Sequence, residues 1–207
     1  MFFCYPTGRQ VMTQNSRLQQ VLALIDAENR EDPNQVQAEG QSWPKEYLYS
    51  RRMSETLTDF AADAPELLQI ACRAQHIKRW SIPRAGYPMD RAGYKRWRSE
   101  LAEFHGELTA NLMARVGYDE GEQQRIRDLL LKKQLKRDPQ VQALEDVICL
   151  VFIRYYLEDF ATRHSEEKLV DIIRKTWGKM SPDGHAAALQ IPLSSEIQAL
   201  VGKALQG

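Results

Sequence analysis

At 207 residues the chain is long enough to bury a core without a disulfide or metal staple, and short enough for one domain. Its 28 Lys plus Arg balance 28 Asp plus Glu, so overall charge gives no general attraction to nucleic acid or an anionic membrane; only a local patch could. Three cysteines without CxxC spacing argue against a disulfide framework or a thiolate zinc site and fit a reducing compartment, the cytoplasm.

Residues 1–15 lack helical periodicity, a cap and a basic segment before an apolar run, and read as a disordered leader rather than a signal. Ser16 with Gln19 forms a capping-box pattern, and Leu18, Val21, Leu22 and Ile25 then share one helical face. A polar connection carrying Gly40 follows, and the next helix starts at Pro44 with Tyr49, Met53, Leu57 and Phe60 in a stripe. Pro65 opens a helix expected to run through "ELLQIACRAQHIKRW". Pro83, Gly86 and Pro88 break the chain, and Asp90 caps a long helix ending near Gly117. A helix through "YDEGEQQRIRDLLLKKQ" ends on Lys132, Lys133, Lys136 and Arg137, where the helix dipole favours a solvated basic end.

Asp138-Pro139 starts "QVQALEDVICLVFIRYYLEDFATRH", apolar all round as a central buried helix requires, and its longest apolar run, residues 147–153, is far short of the roughly 20 residues of a membrane span. Ser165 caps "EEKLVDIIRKTWGKM", and short helices close the chain. No β-alternation competes. The pattern predicts an all-α fold, a single helical domain over residues 16–207 with seven or eight helices.

The stretch from Ala74 to Trp97 carries the densest chemistry. His76 lies across its helix from the stripe of Leu67, Ile70, Ala71, Ala74 and Ile77, which fits either a groove or a packed helix contact. The sequence Arg-Ala-Gly-Tyr occurs twice, at Arg84 to Tyr87 and at Arg91 to Tyr94. Between Arg73 and Arg98 there are eight basic residues and one acid, Asp90. Arginine forks grip phosphate and aromatic rings stack on bases, so Arg79, Trp80, Arg84, Tyr87, Arg91, Tyr94 and Arg98 are candidate contacts for an anionic small molecule such as a nucleotide. The alternative is a solvated helix start with snorkelling arginines. His105 follows Tyr94, Trp97 and Leu101 at helical spacing and points inward, as a core histidine bonded to a carbonyl or as part of the site.

Asp146 heads the stripe of Cys149, Leu150, Ile153 and Leu157, and a buried carboxylate must meet a cation, a metal or donors from another helix. A salt bridge with an arginine and a catalytic or ligand role both fit. Glu145, turned toward Phe152 and Tyr156, is a second, half-buried acid.

The stretches "YSRRM", "QHIKRW", "YPMDRAGY", "WR", "LEDV" and "IIRKTWGKM" resemble, from about residue 18 to 205, an uncharacterised helical family known as a domain of unknown function, DUF4202. That resemblance implies no activity, cofactor or metal. A weaker one is to the HD-domain phosphohydrolases. "YSRRM" stands where that superfamily has a metal-binding histidine, "AQHIKRW" where it has a His-Asp pair, and Asp146 where it has the last aspartate. Tyr49 and Gln75-His76 replace the earlier ligands. The comparison implies an HD-like helical architecture in which His76 and His105 act as displaced ligands, or Arg52 and Arg79 replace the metal's charge. Two functions follow: a hydrolase of a phosphorylated or nucleotide-like small molecule using His76 and Asp146, or a module that binds such a ligand, or a protein, without turnover.

Overall fold

A computed structural model describes residues 16–206; the leader expected over residues 1–15 lies outside them. Helix α1 (Arg17–Arg30) starts at the Ser16 capping box and buries Val21 and Ile25. The polar connection that follows is not wholly irregular. Strands β1 (Gln35–Ala38) and β2 (Gln41–Pro44) pair antiparallel across Glu39 and Gly40, both with positive φ (54° and 75°). A two-residue turn needing left-handed backbone at both positions explains Gly40. The strands' mixed polar composition hid this short correction to an otherwise all-helical reading.

Helix α2 (Lys45–Phe60) has no cap from its own N-cap Pro44; Asp32, before the hairpin, accepts from the Glu46 amide at 2.9 Å and supplies it. Helix α3 (Glu66–Ala74) packs on α1 and α2, and Arg73 grips Asp26 of α1 through two 2.7 Å hydrogen bonds. It stops earlier than expected. The chain turns at Gln75, and Lys78 takes a left-handed conformation (φ 52°), its amide donating to Asn29 Oδ1 at 2.9 Å. His76 thus sits on the turn after α3, not on a helix face.

The repeated Arg-Ala-Gly-Tyr adopts two conformations. The first is a 3-10 turn, Arg84–Gly86, whose Arg84 donates to the carbonyls of Tyr87 and Pro88. The second starts helix α4 (Arg91–Ala114), capped by Asp90. Helix α4 lies along α5 (Glu120–Leu130). Beyond α5, Lys132, Gln134 and Lys136 have positive φ, so the basic run is a sequence of turns rather than a helix end.

Helix α6 (Pro139–Tyr155), capped by Asp138, buries Val141, Leu144, Val147 and Val151 against α2 and α3. The expected continuous helix breaks at Tyr156 (φ −129°), giving a separate α7 (Leu157–Ala161). Helices α8 (Glu166–Trp177), α9 (Pro182–Ala188) and α10 (Ser195–Leu205) complete ten α-helices among the described residues, more than the seven or eight expected. The main core spans α1 to α6, and a smaller cluster of Leu157, Ile173, Ile197 and Ala204 joins α7, α8 and α10. Among the described residues no helix is long and apolar enough to cross a membrane.

Candidate functional site

The turn after α3 projects His76 into a cleft of about 490 Å³ between α2, α4, α6 and α8. Tyr49 stacks on the imidazole with ring centroids 4.0 Å apart and planes 14° apart. Nδ1 of His76 lies 3.2 Å from Glu46 Oε2, and Nε2 lies 2.9 Å from Arg79 Nη1. A guanidinium only donates, so Nε2 accepts from Arg79 and the ring proton resides on Nδ1, donated to Glu46. The packed surroundings, then the charges of Arg79 and Arg98, hold the His76 pKa well below its ordinary value, so the ring is neutral. Burial pushes the Glu46 carboxyl up to about 7 against the opposing charges of Arg79 and Lys45.

Arg79 is fixed from below, its guanidinium 4.7 Å over the Trp97 ring, whose indole donates to the Ile82 carbonyl at 2.9 Å. Lys45, Arg98 and Lys179 add three more cations to the walls, and Tyr94, Phe152 and Tyr156 add aromatic faces. Glu145 lines the cleft opposite; only 2% exposed, it pairs with Lys132 and, at 3.4 Å, with Lys179. Burial raises its pKa, but the two ammonium groups outweigh that and hold the carboxyl below the usual range. His76, Arg79 and Arg98 also border a smaller hollow of about 270 Å³ with His105. Burial, then the charges of Arg79 and Arg98, hold the His105 pKa well below its ordinary value as well.

The structure therefore gathers His76, Arg79, Tyr94 and Arg98 of the expected site, with His105 alongside. The remaining expected residues lie elsewhere. Arg84 is spent on the carbonyls of its own turn, Tyr87 donates to Glu100, and Arg91 is exposed at the start of α4. Trp80 lies beside Arg79 but outside the cleft lining. Arg52 stacks on Tyr155, with its guanidinium 4.5 Å from the ring centroid. The largest correction is Asp146, expected to face His76. It is buried, but turned toward α9: Oδ1 accepts from the Ser181 amide at 2.8 Å and from Gln142 Nε2 at 3.1 Å, and Oδ2 accepts from the Ser181 hydroxyl at 2.6 Å. Ser181 in turn caps α9 by accepting from the Gly184 amide at 3.0 Å. A Cβ at Gly184 would lie 2.6 Å from Asp146 Oδ1, so only glycine admits this approach. The carboxylate needs neither arginine nor metal, because neutral donors satisfy it.

Sequence reasoning missed Glu46, Lys45, Tyr49 and Lys179 as parts of one site. Tyr49 read as core stripe and, in the HD-domain resemblance, as the replacement of a metal-binding histidine rather than a partner of His76, and Glu46 follows a proline start where an acid is expected for the helix dipole alone. Their common signal is distance in sequence, visible only once α2, the α3 turn and α8 meet. Among the described residues, no group of three or more His, Cys, Asp or Glu side chains is placed to hold a metal.

Searches of curated proteins and of solved structures each found no match. Residues 19–201, nearly the whole chain, match the family described as a domain of unknown function, DUF4202. The helices that build the cleft fall inside that span, and the chain belongs to this family.

Proposed function

We propose that the cleft binds a phosphorylated or nucleotide-like small molecule and hydrolyses its phosphate ester, with His76 as the proton-transfer residue. The observation that carries this reading is the His76 ring held between Glu46 and Arg79, in a cleft whose walls carry Lys45, Arg79, Arg98 and Lys179. Four cations around two carboxylates leave a surplus of positive charge where an anion would sit, and Tyr94, Phe152 and Tyr156 offer faces for the rest of the ligand. Incoming phosphate competes for Arg79. When Arg79 turns to the phosphate, Nε2 of a neutral imidazole is freed to accept a proton from water as the water oxygen bonds to phosphorus and the ester P–O bond breaks. Glu46 stabilises the resulting imidazolium through Nδ1, and the Nε2 proton then passes to the departing alkoxide, which leaves as the alcohol. Asp146 has no part in this chemistry. The HD-like arrangement, without that superfamily's metal ligands, is part of this reading on the chain order alone: Tyr49 on α2, His76 on the turn after α3 and Asp146 on α6. The free thiols Cys72 and Cys149, both buried, fit the cytoplasm.

One observation favours binding without turnover: at rest Nε2 is already occupied by Arg79, so the His76 imidazole presents no free base to the cleft. Two measurements on the full chain separate the readings. Thermal melting with inorganic phosphate and with nucleotides is expected to show a saturable, salt-sensitive rise that Arg98→Ala reduces. Phosphate release from a panel of phosphate monoesters is expected to fall at least a hundredfold in His76→Ala if hydrolysis occurs, on the order of the usual contribution of general acid–base catalysis. Absence of any thermal shift with phosphate or nucleotide would remove the anion site. A shift without phosphate release would leave binding alone.

A further inference from the structure

Behind the cleft, α6, α8 and α10 enclose a second cavity of about 430 Å³, within the size range of small-molecule sites. Its walls include Ile153, Leu157, Ile173, Trp177 and Val201, and apart from Thr176, Gln198 and the indole of Trp177 its side-chain lining is hydrocarbon. Phe152 and Thr176 line this cavity and the cationic cleft alike, so a single layer of side chains divides a polar space from an apolar one. At the cavity's edge Leu189 and Leu205 are 64% and 40% exposed, leaving aliphatic surface in water.

We infer that the ligand of the cleft is an amphiphilic phosphate: its head lies among Arg79, Arg98 and Lys179, and an aliphatic group enters the apolar cavity by displacing the Phe152 and Thr176 side chains of the shared wall. The inference rests on the phosphate reading above and adds the class of ligand. A wholly polar metabolite would use the cleft and leave the adjoining hydrocarbon walls without a partner. A wholly apolar ligand would gain nothing from the cations next door. An apolar protein segment or a second copy would cover Leu189 and Leu205 without reaching the cleft.

The test is a calorimetric titration of the full chain with inorganic phosphate, with n-alkyl phosphates from methyl to octyl, and with n-alcohols of the same lengths. Dissociation constants are expected to fall about fourfold per methylene until the cavity is full, as for hydrocarbon leaving water. Alcohols are expected to bind far more weakly at every length. Gly202→Phe supplies the control: a Cβ at Gly202, in the cavity wall, meets no atom within 4 Å, so the side chain starts into open space, and the variant's unchanged helix content by circular dichroism is the check that α10 is kept. In that variant inorganic phosphate is expected to bind as before and the dependence on chain length to vanish. Phosphate binding with no gain from chain length, or a gain that survives in Gly202→Phe, overturns the inference and leaves the phosphate reading standing. Alcohols binding as tightly as alkyl phosphates overturn it too, showing an apolar site unconnected with the cleft. If neither inorganic phosphate nor any alkyl phosphate binds, the phosphate reading fails and the inference falls with it. A dimer in sedimentation that Gly202→Phe dissociates identifies a second copy as the occupant and overturns the inference as well.

Discussion

Glu145 and Asp146 are neighbours in sequence, equally buried, and differ in everything their side chains meet. One pairs with two lysines at the cleft; the other receives the Ser181 amide and hydroxyl. Asp146→Ala is expected to destabilise by about 1–3 kcal/mol, the cost of leaving buried donors unpaired, with Asp146→Asn milder. Gly184→Ala is expected to cost as much through the clash with Asp146 Oδ1, and denaturant melts of the three variants check the order. Glu46 gives a pH signature. Its folded pKa, about 7, lies above the usual 4.5, so the native state binds that proton more tightly and this contribution to stability is lost as pH rises from 4.5 to 7. His76 and His105 act in the opposite sense: their pKa values are depressed below 6.5, so their contribution is present above that pH and lost as pH falls. Glu46→Gln removes the first contribution, while the amide oxygen of the new side chain still accepts from His76 Nδ1. Its stability is expected to climb more steeply than wild type between pH 5 and 7, on the order of 2 kcal/mol relative to wild type across the window, measured by urea melts at each pH.

At the scale of elements, the cleft depends on two devices remote from it in sequence. Asp32 caps α2 across the hairpin and so sets where Glu46 begins its turn, while Asn29 holds the left-handed Lys78 that aims Arg79. Asp32→Ala is expected to cost about 1–2 kcal/mol, as loss of an N-cap does, and to lower the melting temperature by a few degrees. Asp32→Asn should recover most of it; equal losses would show that the charge, not the cap, matters. The helix starts at Ser16, Asp90 and Asp138 were legible because a cap is a local signal; α8 also starts after Ser165, but the Ser165 side chain, expected to cap it, makes no capping hydrogen bond. Helix ends were legible only where a glycine marks them, as Gly117 (φ 90°) does just past α4. The α3 helix stops at Ala74 although Gln75, His76 and Ile77 carry no Gly or Pro, because Asn29 of α1 captures the Lys78 amide, a tertiary contact that no window of sequence contains. His76 was found as a candidate by its basic, aromatic neighbours, but its partners Glu46 and Tyr49 belong to another helix. The carboxylate chosen for it was one residue away from the one that lines the cleft, a difference of about 100° around α6.

Over the whole molecule, balanced charge conceals an uneven distribution. Lys45, Arg79, Arg98 and Lys179 converge on one opening, although formal net charge is zero. The core is uneven too. Helices α1 to α6 share one large cluster, whereas α8 buries only Leu169 and Ile173 and α10 only Ile197 and Ala204. Amide hydrogen exchange is therefore expected to be faster in α8 and α10 than in α3 and α6, since regions with few buried apolar contacts open at lower free energy. Uniform protection across the chain would contradict the division. The adjacent carboxylates of α6 bear on this. Ion-paired on one side by Glu145 and hydrogen-bonded on the other by Asp146, the helix is pinned against rotation about its own axis, like a shaft keyed at two angles. Torsional stiffness of α6 then links α9 to the cleft: a substitution at Ser181, which lines no part of the cleft, is expected to loosen the Asp146 key and with it the Glu145 pairs to Lys132 and Lys179.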